Sequence, residues 1–148
     1  MENEVGHRIA DALGVLLRRG ARAQLHRALT EGLHEGLDEL TYPVLSALAR
    51  TGPRSAAELA AEVGLDRSGV TRRATRLEEA GLVRREPDPA DRRATLLALT
   101  GPGEQVVAQL RERLAARIAA SLDGWEPAEA QVFARQLGRF VAEGPFGG

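Results

Sequence analysis

Apolar residues recur at helical spacing over 5–31, at Val5, Ile9, Leu13, Leu16, Leu17, Leu25 and Leu29. The stripe predicts one long amphipathic helix, with Gly14 and Gly20 as its weak points. Gly32 and Gly36 mark a loop. Thr41 is an N-cap residue type with Pro43 following in the first turn, where a missing N–H costs little. Val44, Leu45, Leu48 and Ala49 then form the buried face of a second helix, ended by Thr51-Gly52-Pro53. Ser55 and Glu58 have capping-box spacing, which opens a short helix over 56–63 that stops at Gly64. Asp66 caps a fourth helix that runs to Ala80 and ends at Gly81. Two strand-like runs, 82–86 and 94–99, flank a turn made of Pro87, Asp88, Pro89, Ala90 and Asp91, and so predict a β-hairpin. Thr100 and Pro102 open a fifth helix with Val106, Val107, Leu110, Leu114, Ile118 and Leu122 on one side. Asp123-Gly124 breaks it, and Pro127 starts a sixth, with Val132, Phe133, Leu137, Phe140 and Val141 facing inward.

The predicted class is mainly α with one small β-hairpin, an α+β arrangement. Residues 41–100 read as a compact, self-contained block. The flanking helices, in 1–40 and 101–148, carry apolar stripes without a local partner. Such stripes must pack on each other or on a second copy of the chain, and a homodimer is the economical solution.

Composition narrows the chemistry. The chain has 148 residues, the size of one ordinary domain, and no cysteine, which excludes disulfides, thiolate catalysis and thiol-based redox sensing. No apolar run approaches the roughly 18 residues of a membrane helix. The first residues are acidic and form no apolar signal core, so the expected location is the cytoplasm. All 20 basic residues are arginine, a planar, bidentate donor where lysine is a point charge. A net charge of −1 argues against a nucleic-acid binder, but the charge is unevenly spread. Between Arg67 and Arg76 there are four arginines and no acid.

The helix at 56–63, the turn Gly64-Leu65-Asp66 and the helix at 67–80 make a helix-turn-helix, whose second helix lies in the DNA major groove. Val70, Ala74 and Leu77 face the core, leaving Arg67, Ser68, Thr71, Arg72, Thr75 and Arg76 on the other side. Arginine pairs with guanine edges, and small hydroxyls let the backbone approach and reach phosphates. Gly69 reads as removing bulk from the groove-facing side. Arg92 and Arg93 at the hairpin tip cannot serve a core, and Asp91 is spaced to orient the Arg93 guanidinium. With Arg54, ahead of the short helix, the candidate DNA-contacting residues are Arg54, Arg67, Ser68, Thr71, Arg72, Thr75, Arg76, Asp91, Arg92 and Arg93. The bland alternatives are a solvated arginine face and a surface salt bridge worth under roughly 1 kcal/mol.

From Ser55 to Thr100 the sequence resembles the DNA-binding lobe of the MarR family of transcription regulators. The resemblance rests on Val70-Thr71-Arg72, on the run from Arg76-Leu77-Glu78-Glu79 through Gly81-Leu82-Val83, and on Asp91-Arg92-Arg93 leading to Leu99-Thr100. It implies a winged helix-turn-helix lobe over 41–100 and a helical dimerisation lobe from 1–40 and 101–148. It also implies a homodimer on a pseudo-palindromic operator, with Arg93 in the minor groove and Asp91 as its partner; the role expected of the chain is that of a repressor. Arg73 departs from the family pattern, which has an apolar residue there, and Trp125-Glu126-Pro127 replaces the usual start of the last helix.

The family's effector pocket lies between the two lobes, where His26 and Tyr42 are candidate ligand contacts; a partly exposed helix residue is the plainer reading of His26. Arg19 and Arg22 suit an anionic or phenolic ligand, or simply a solvated face. His7, His26 and His34 form no i, i+4 pair, which disfavours metal sensing. No phosphate loop, zinc-binding histidine pair or nucleophile elbow occurs, so no enzyme activity and no cofactor are expected. The expected partners are double-stranded DNA, a second copy of the chain and a small-molecule effector, with no membrane. The rival reading is a winged-helix protein-interaction module, such as an anti-repressor, that does not bind DNA.

Overall fold

The computed structural model describes residues 2–146. The elements run α1 (Glu2–Leu16), α2 (Arg19–Thr30), α3 (Tyr42–Thr51), α4 (Ala56–Val63), α5 (Arg67–Glu79), β1 (Val83–Pro87), β2 (Thr95–Leu99), α6 (Gly101–Ser121) and α7 (Pro127–Glu143). Two compact units divide the chain, one ending at Arg111 and the other beginning at Glu112. No helix among the described residues is long and apolar enough to cross a membrane.

The single long helix expected over 5–31 is two helices. Arg18 adopts an extended conformation between them, with no side-chain cap. Gly14 and Gly20 lie inside α1 and α2 rather than at the break. Each weakens its helix by about 1 kcal/mol relative to alanine, so an extended residue between them interrupts little.

The first unit has a continuous core. Leu29 of α2, Val44, Leu45, Ala47 and Leu48 of α3, Leu59 of α4, and Val70, Ala74 and Leu77 of α5 are buried together with Leu82, Val83, Leu97, Val106 and Leu110. On α3 it is Ala47, three residues after Val44, that is buried, and Ala49 that is exposed. Thr41 precedes α3 without capping it. Its hydroxyl donates to the Gly36 carbonyl (3.0 Å) and accepts from the Asp38 N–H (3.0 Å), while Asp38 Oδ1 accepts the N–H groups of Leu40 (2.9 Å) and Thr41 (3.0 Å). The turn before α3 is therefore organised by Asp38.

The capping box forms as the sequence predicts: the Glu58 N–H donates to Ser55 Oγ and the Ser55 N–H to Glu58, both at 3.2 Å. Gly64 closes α4 at φ +72°. The hairpin is antiparallel, with Val83 opposite Leu99 and Pro87 opposite Thr95, one residue further along each strand start than the apolar runs suggest. On the other edge of β2, Arg54 and Leu97 exchange both backbone hydrogen bonds (3.1 and 2.8 Å). Thr100 caps α6 by accepting the Gly103 N–H at 3.1 Å.

In the second unit, the side of α7 expected to face inward is largely open. Val132, Phe133, Leu137 and Val141 are exposed, and Trp125 lies against Phe133 with ring centroids 5.3 Å apart. On α1, Val5, Ile9 and Leu16 are likewise exposed.

Candidate nucleic-acid interface

The surface begins at the α5 N-terminus. Asp66 is extended, and its carboxylate accepts the Gly69 N–H at 2.6 Å and the Ser68 hydroxyl at 3.1 Å. These two hydrogen bonds hold the Asp66 carboxyl below its ordinary range. Gly69 itself is buried, which corrects the expectation that it thins a groove-facing surface. A Cβ there would lie 2.8 Å from Asp66 Oδ1 and 3.2 Å from the Arg73 guanidinium, so the glycine makes room for the cap and for Arg73. Arg73 occupies its apolar-type position by folding back, its Nη1 donating to the Gly69 carbonyl at 3.2 Å.

The polar side chains of α5 have different occupations. Thr71 and Thr75 donate to the carbonyls one turn back, Arg67 and Thr71 respectively, each at 2.9 Å. Arg76 is engaged: its guanidinium donates to Asp38 at 2.6 Å, tying α5 to the turn before α3. Partial burial pushes the Asp38 carboxyl up, but the Arg76 guanidinium and the N–H groups of Thr41 and Leu40 outweigh it, and the net shift is downward. Arg54 is also occupied, near Glu58 (3.8 Å) and donating to the Pro53 carbonyl (2.9 Å). No hydrogen bond or ion pair engages the guanidinium groups of Arg67, Arg92 and Arg93 among the described residues; Arg72 lies near the Asp66 charge.

The wing turn is held by its own aspartates. Asp88 Oδ1 accepts the Ala90 N–H (2.9 Å) and Asp91 Oδ1 the Arg93 N–H (3.0 Å), while the Asp88 N–H donates to the Ala94 carbonyl (3.0 Å). Instead of orienting the Arg93 guanidinium, as its spacing suggests, Asp91 fixes the backbone as an Asx turn. A two-residue spacing favours this local bond over one to the end of a long side chain.

The α4 N-terminus, α5 and the wing enclose a cleft of about 420 Å³ lined by Ser55, Arg67, Thr71, Arg85, Arg93 and Thr95, among others, with no carboxylate in its lining. It brings Arg67 and Thr71 of the helix together with Arg93 of the wing. Arg85 is absent from the candidates that the sequence suggests. Its signal is present in strand alternation, which puts Arg85 on the same face of β1 as buried Val83, where its side chain reaches Thr75 and Glu78 of α5.

His26 and Tyr42 meet, but on each other: their rings are 4.2 Å apart and tilted by 38°. Burial, reinforced by Arg22 and opposed by Glu39, lowers the His26 pKa below its ordinary value. A cleft of about 410 Å³ nearby is lined instead by Gln24, Arg27, His34, Asp38 and Glu39 with their neighbours, and Arg27 and Glu39 are paired at 2.8 Å. Among the described residues, no group of three or more His, Asp or Glu is placed to hold a metal ion.

The sequence and the fold are both similar to those of known proteins. The sequence profile of the MarR family matches residues 35–94. A candidate transcriptional regulatory protein for the hcr operon of Thauera aromatica is 37% identical over 109 residues, 70% of this chain and 63% of that protein. The chain thus spans somewhat less than two thirds of that relative. YxaD of Bacillus subtilis, an HTH-type transcriptional regulator, is 32% identical over 103 residues, 70% of this chain and 72% of YxaD. Among solved structures, RV1404 of Mycobacterium tuberculosis superposes with a TM-score of 0.70 at 28% identity, covering 97% of this chain and 94% of its own. PcaV, a transcriptional regulator of Streptomyces coelicolor solved with its natural ligand, gives 0.55 at 29% identity, over 87% of this chain and 95% of its own. The family profile covers the helix-turn-helix and the wing's first strand and turn, and YxaD matches over a longer stretch: the chain belongs to the MarR family of transcriptional regulators.

Proposed function

We propose that the protein is a homodimeric repressor that binds a pseudo-palindromic operator in duplex DNA. The α5 face carrying Arg67, Ser68, Thr71 and Arg72 enters the major groove, and the wing carries Arg92 and Arg93 to the flanking minor groove. Residues 41–100 form the DNA-binding lobe, and residues 1–40 and 101–148 the dimerisation lobe. The open apolar side chains of α1 and α7 support that division, because monomeric proteins rarely leave such stripes uncovered. Arg54 and Arg76, already occupied, contribute by setting the positions of α4 and α5; the Thr75 hydroxyl is likewise engaged, with the Thr71 carbonyl and Arg85. Release by an anionic or phenolic small molecule is part of the proposal, on the analogy of PcaV and its ligand. Its site includes His26 and Tyr42, and the protein acts in the cytoplasm.

One observation carries the reading: arginines from two separate elements, Arg67 and Arg93, meet at a cleft without a single carboxylate. An intramolecular role would call for an acid there, whereas phosphates supply the missing charge from outside. The test is a gel-shift titration of the purified protein on the DNA upstream of its own gene, at low salt. A discrete complex is expected, and candidate phenolic acids should dissolve it. A folded dimer that shifts no duplex would refute DNA binding and leave the protein-interaction module as the better reading.

A further inference from the structure

We infer that Arg85 is the strut that fixes the angle between the wing and α5, and thereby sets how strictly the protein selects its DNA sequence. The inference rests on the DNA-binding reading above. The base of the hairpin is anchored by burial, since Leu82, Val83, Leu97 and Ala98 lie in the core. The anchoring ends at the Arg85–Leu97 pair of the ladder. At that level Arg54 grips β2 from its outer edge with two backbone hydrogen bonds, and Arg85 reaches from β1 across to α5. Its Nη2 donates to the Thr75 hydroxyl at 3.2 Å, and its Nε lies 3.3 Å from the Glu78 carboxylate. Thr75 and Glu78 are three apart on one helix face, a spacing that a planar guanidinium spans and an ammonium does not.

Arg84, its neighbour, stays within the hairpin, donating to the Leu99 carbonyl and pairing with Glu86. Beyond Arg85, no hydrogen bond or ion pair joins residues 86–95 to α5 among the described residues. The wing tip is therefore a lever, and Arg85 is the last point at which α5 holds it. A reader that uses two grooves at once discriminates only if its two parts keep a fixed separation. Arg85 is accordingly a positioning residue, although it also lines the cleft.

The experiment compares wild type with Arg85→Gln, Arg85→Lys and Glu78→Gln in two measurements. The first is fluorescence anisotropy on operator and scrambled duplexes across a salt series. Arg85→Gln should lower the operator-to-scrambled affinity ratio by about tenfold while leaving the salt slope unchanged. Arg85→Lys, which keeps the charge and loses the fork, should fail to restore the ratio, and Glu78→Gln should lower it in the same direction. A slope shallower by about 0.9, the share of one neutralised phosphate, with the ratio intact, would make Arg85 a phosphate ligand and overturn the inference. Full rescue by lysine would overturn it as well.

The second measurement needs no DNA. Residual dipolar couplings of α5 and hairpin amides should fit one alignment tensor in wild type and require two in Arg85→Gln. A single tensor in both proteins would refute the strut. If wild type binds no duplex at all, the DNA-binding reading fails by itself, and the couplings still decide whether Arg85 holds the wing.

Discussion

Gly103→Ala tests whether the start of α6 is seated as closely on the hairpin as the structure places it. Gly103 is buried in the first turn of α6. A Cβ there would run into the Leu82 carbonyl oxygen and stand 3.1 Å from its carbon and 3.4 Å from its Cα. Neither side can yield easily. The Leu82 carbonyl accepts the Thr100 N–H at 3.1 Å, and the Leu82 N–H donates to Leu77 at 2.9 Å, so a shift strains two hydrogen bonds. Overpacking of this kind costs about 1–3 kcal/mol, and each weakened bond adds roughly 0.5–1.5 kcal/mol. Replacing glycine in a helix returns at most about 1 kcal/mol. The net loss is about 3 kcal/mol, a fall in Tm of roughly 6–12 °C for a chain of this length. Gly138→Ala is the control, because nothing lies within 4 Å of its added Cβ; it should raise Tm by about 2 °C. Thermal unfolding followed by circular dichroism reads both. A Gly103→Ala protein as stable as wild type would refute the close approach, and an equal fall in both variants would remove the clash as its cause.

Other outcomes follow from the same geometry. Asp38→Asn keeps the oxygen that accepts the Leu40 and Thr41 N–H groups and loses the charge facing Arg76. Both partners of that pair are over 40% exposed, so the cost at neutral pH should stay under about 1 kcal/mol. Because the folded Asp38 carboxyl titrates below its ordinary value of 3.8, its contribution is present above that value and is lost as pH falls through the folded one. Urea unfolding at neutral and acid pH should therefore separate the two proteins only at neutral pH. His26 should titrate below 6.5 by NMR, staying neutral at pH 7; its burial then favours folding less as pH drops from 6.5 toward the folded value. An unshifted midpoint would mean that the ring is solvated rather than packed on Tyr42. Ser55→Ala should cost about 1 kcal/mol through loss of the α4 cap, measured by chemical unfolding.

What the sequence made legible was local. The capping box at Ser55 and Glu58, the Asp66 cap, the stop at Gly64 and the hairpin are written within a few residues of where they act, so residue type and spacing suffice. What it hid depends on partners that the fold brings together. Arg76 looks like a free recognition arginine until Asp38, thirty-eight positions away, takes its guanidinium. Arg54 looks like a loop charge until its backbone pairs with Leu97. Gly69 looks like a groove-side vacancy because a helical wheel does not include the Asp66 cap that folds over it. Asp91 and Arg93 look like a side-chain pair, yet a two-residue spacing lets the carboxylate take the backbone N–H first. The Arg18 break was hidden for another reason: it carries none of the glycine, proline or capping signals that mark helix ends.

The most direct test of the central claim is the salt dependence of DNA affinity. Arg67, Arg72, Arg92 and Arg93 are available to phosphates, so log K should fall steeply and linearly with log salt, by about 0.9 for each phosphate neutralised. The Arg67→Ala, Arg93→Ala double variant should bind more weakly and show a visibly shallower slope. Affinity that is insensitive to salt, or a slope unchanged in the double variant, would contradict the assignment of this face to DNA.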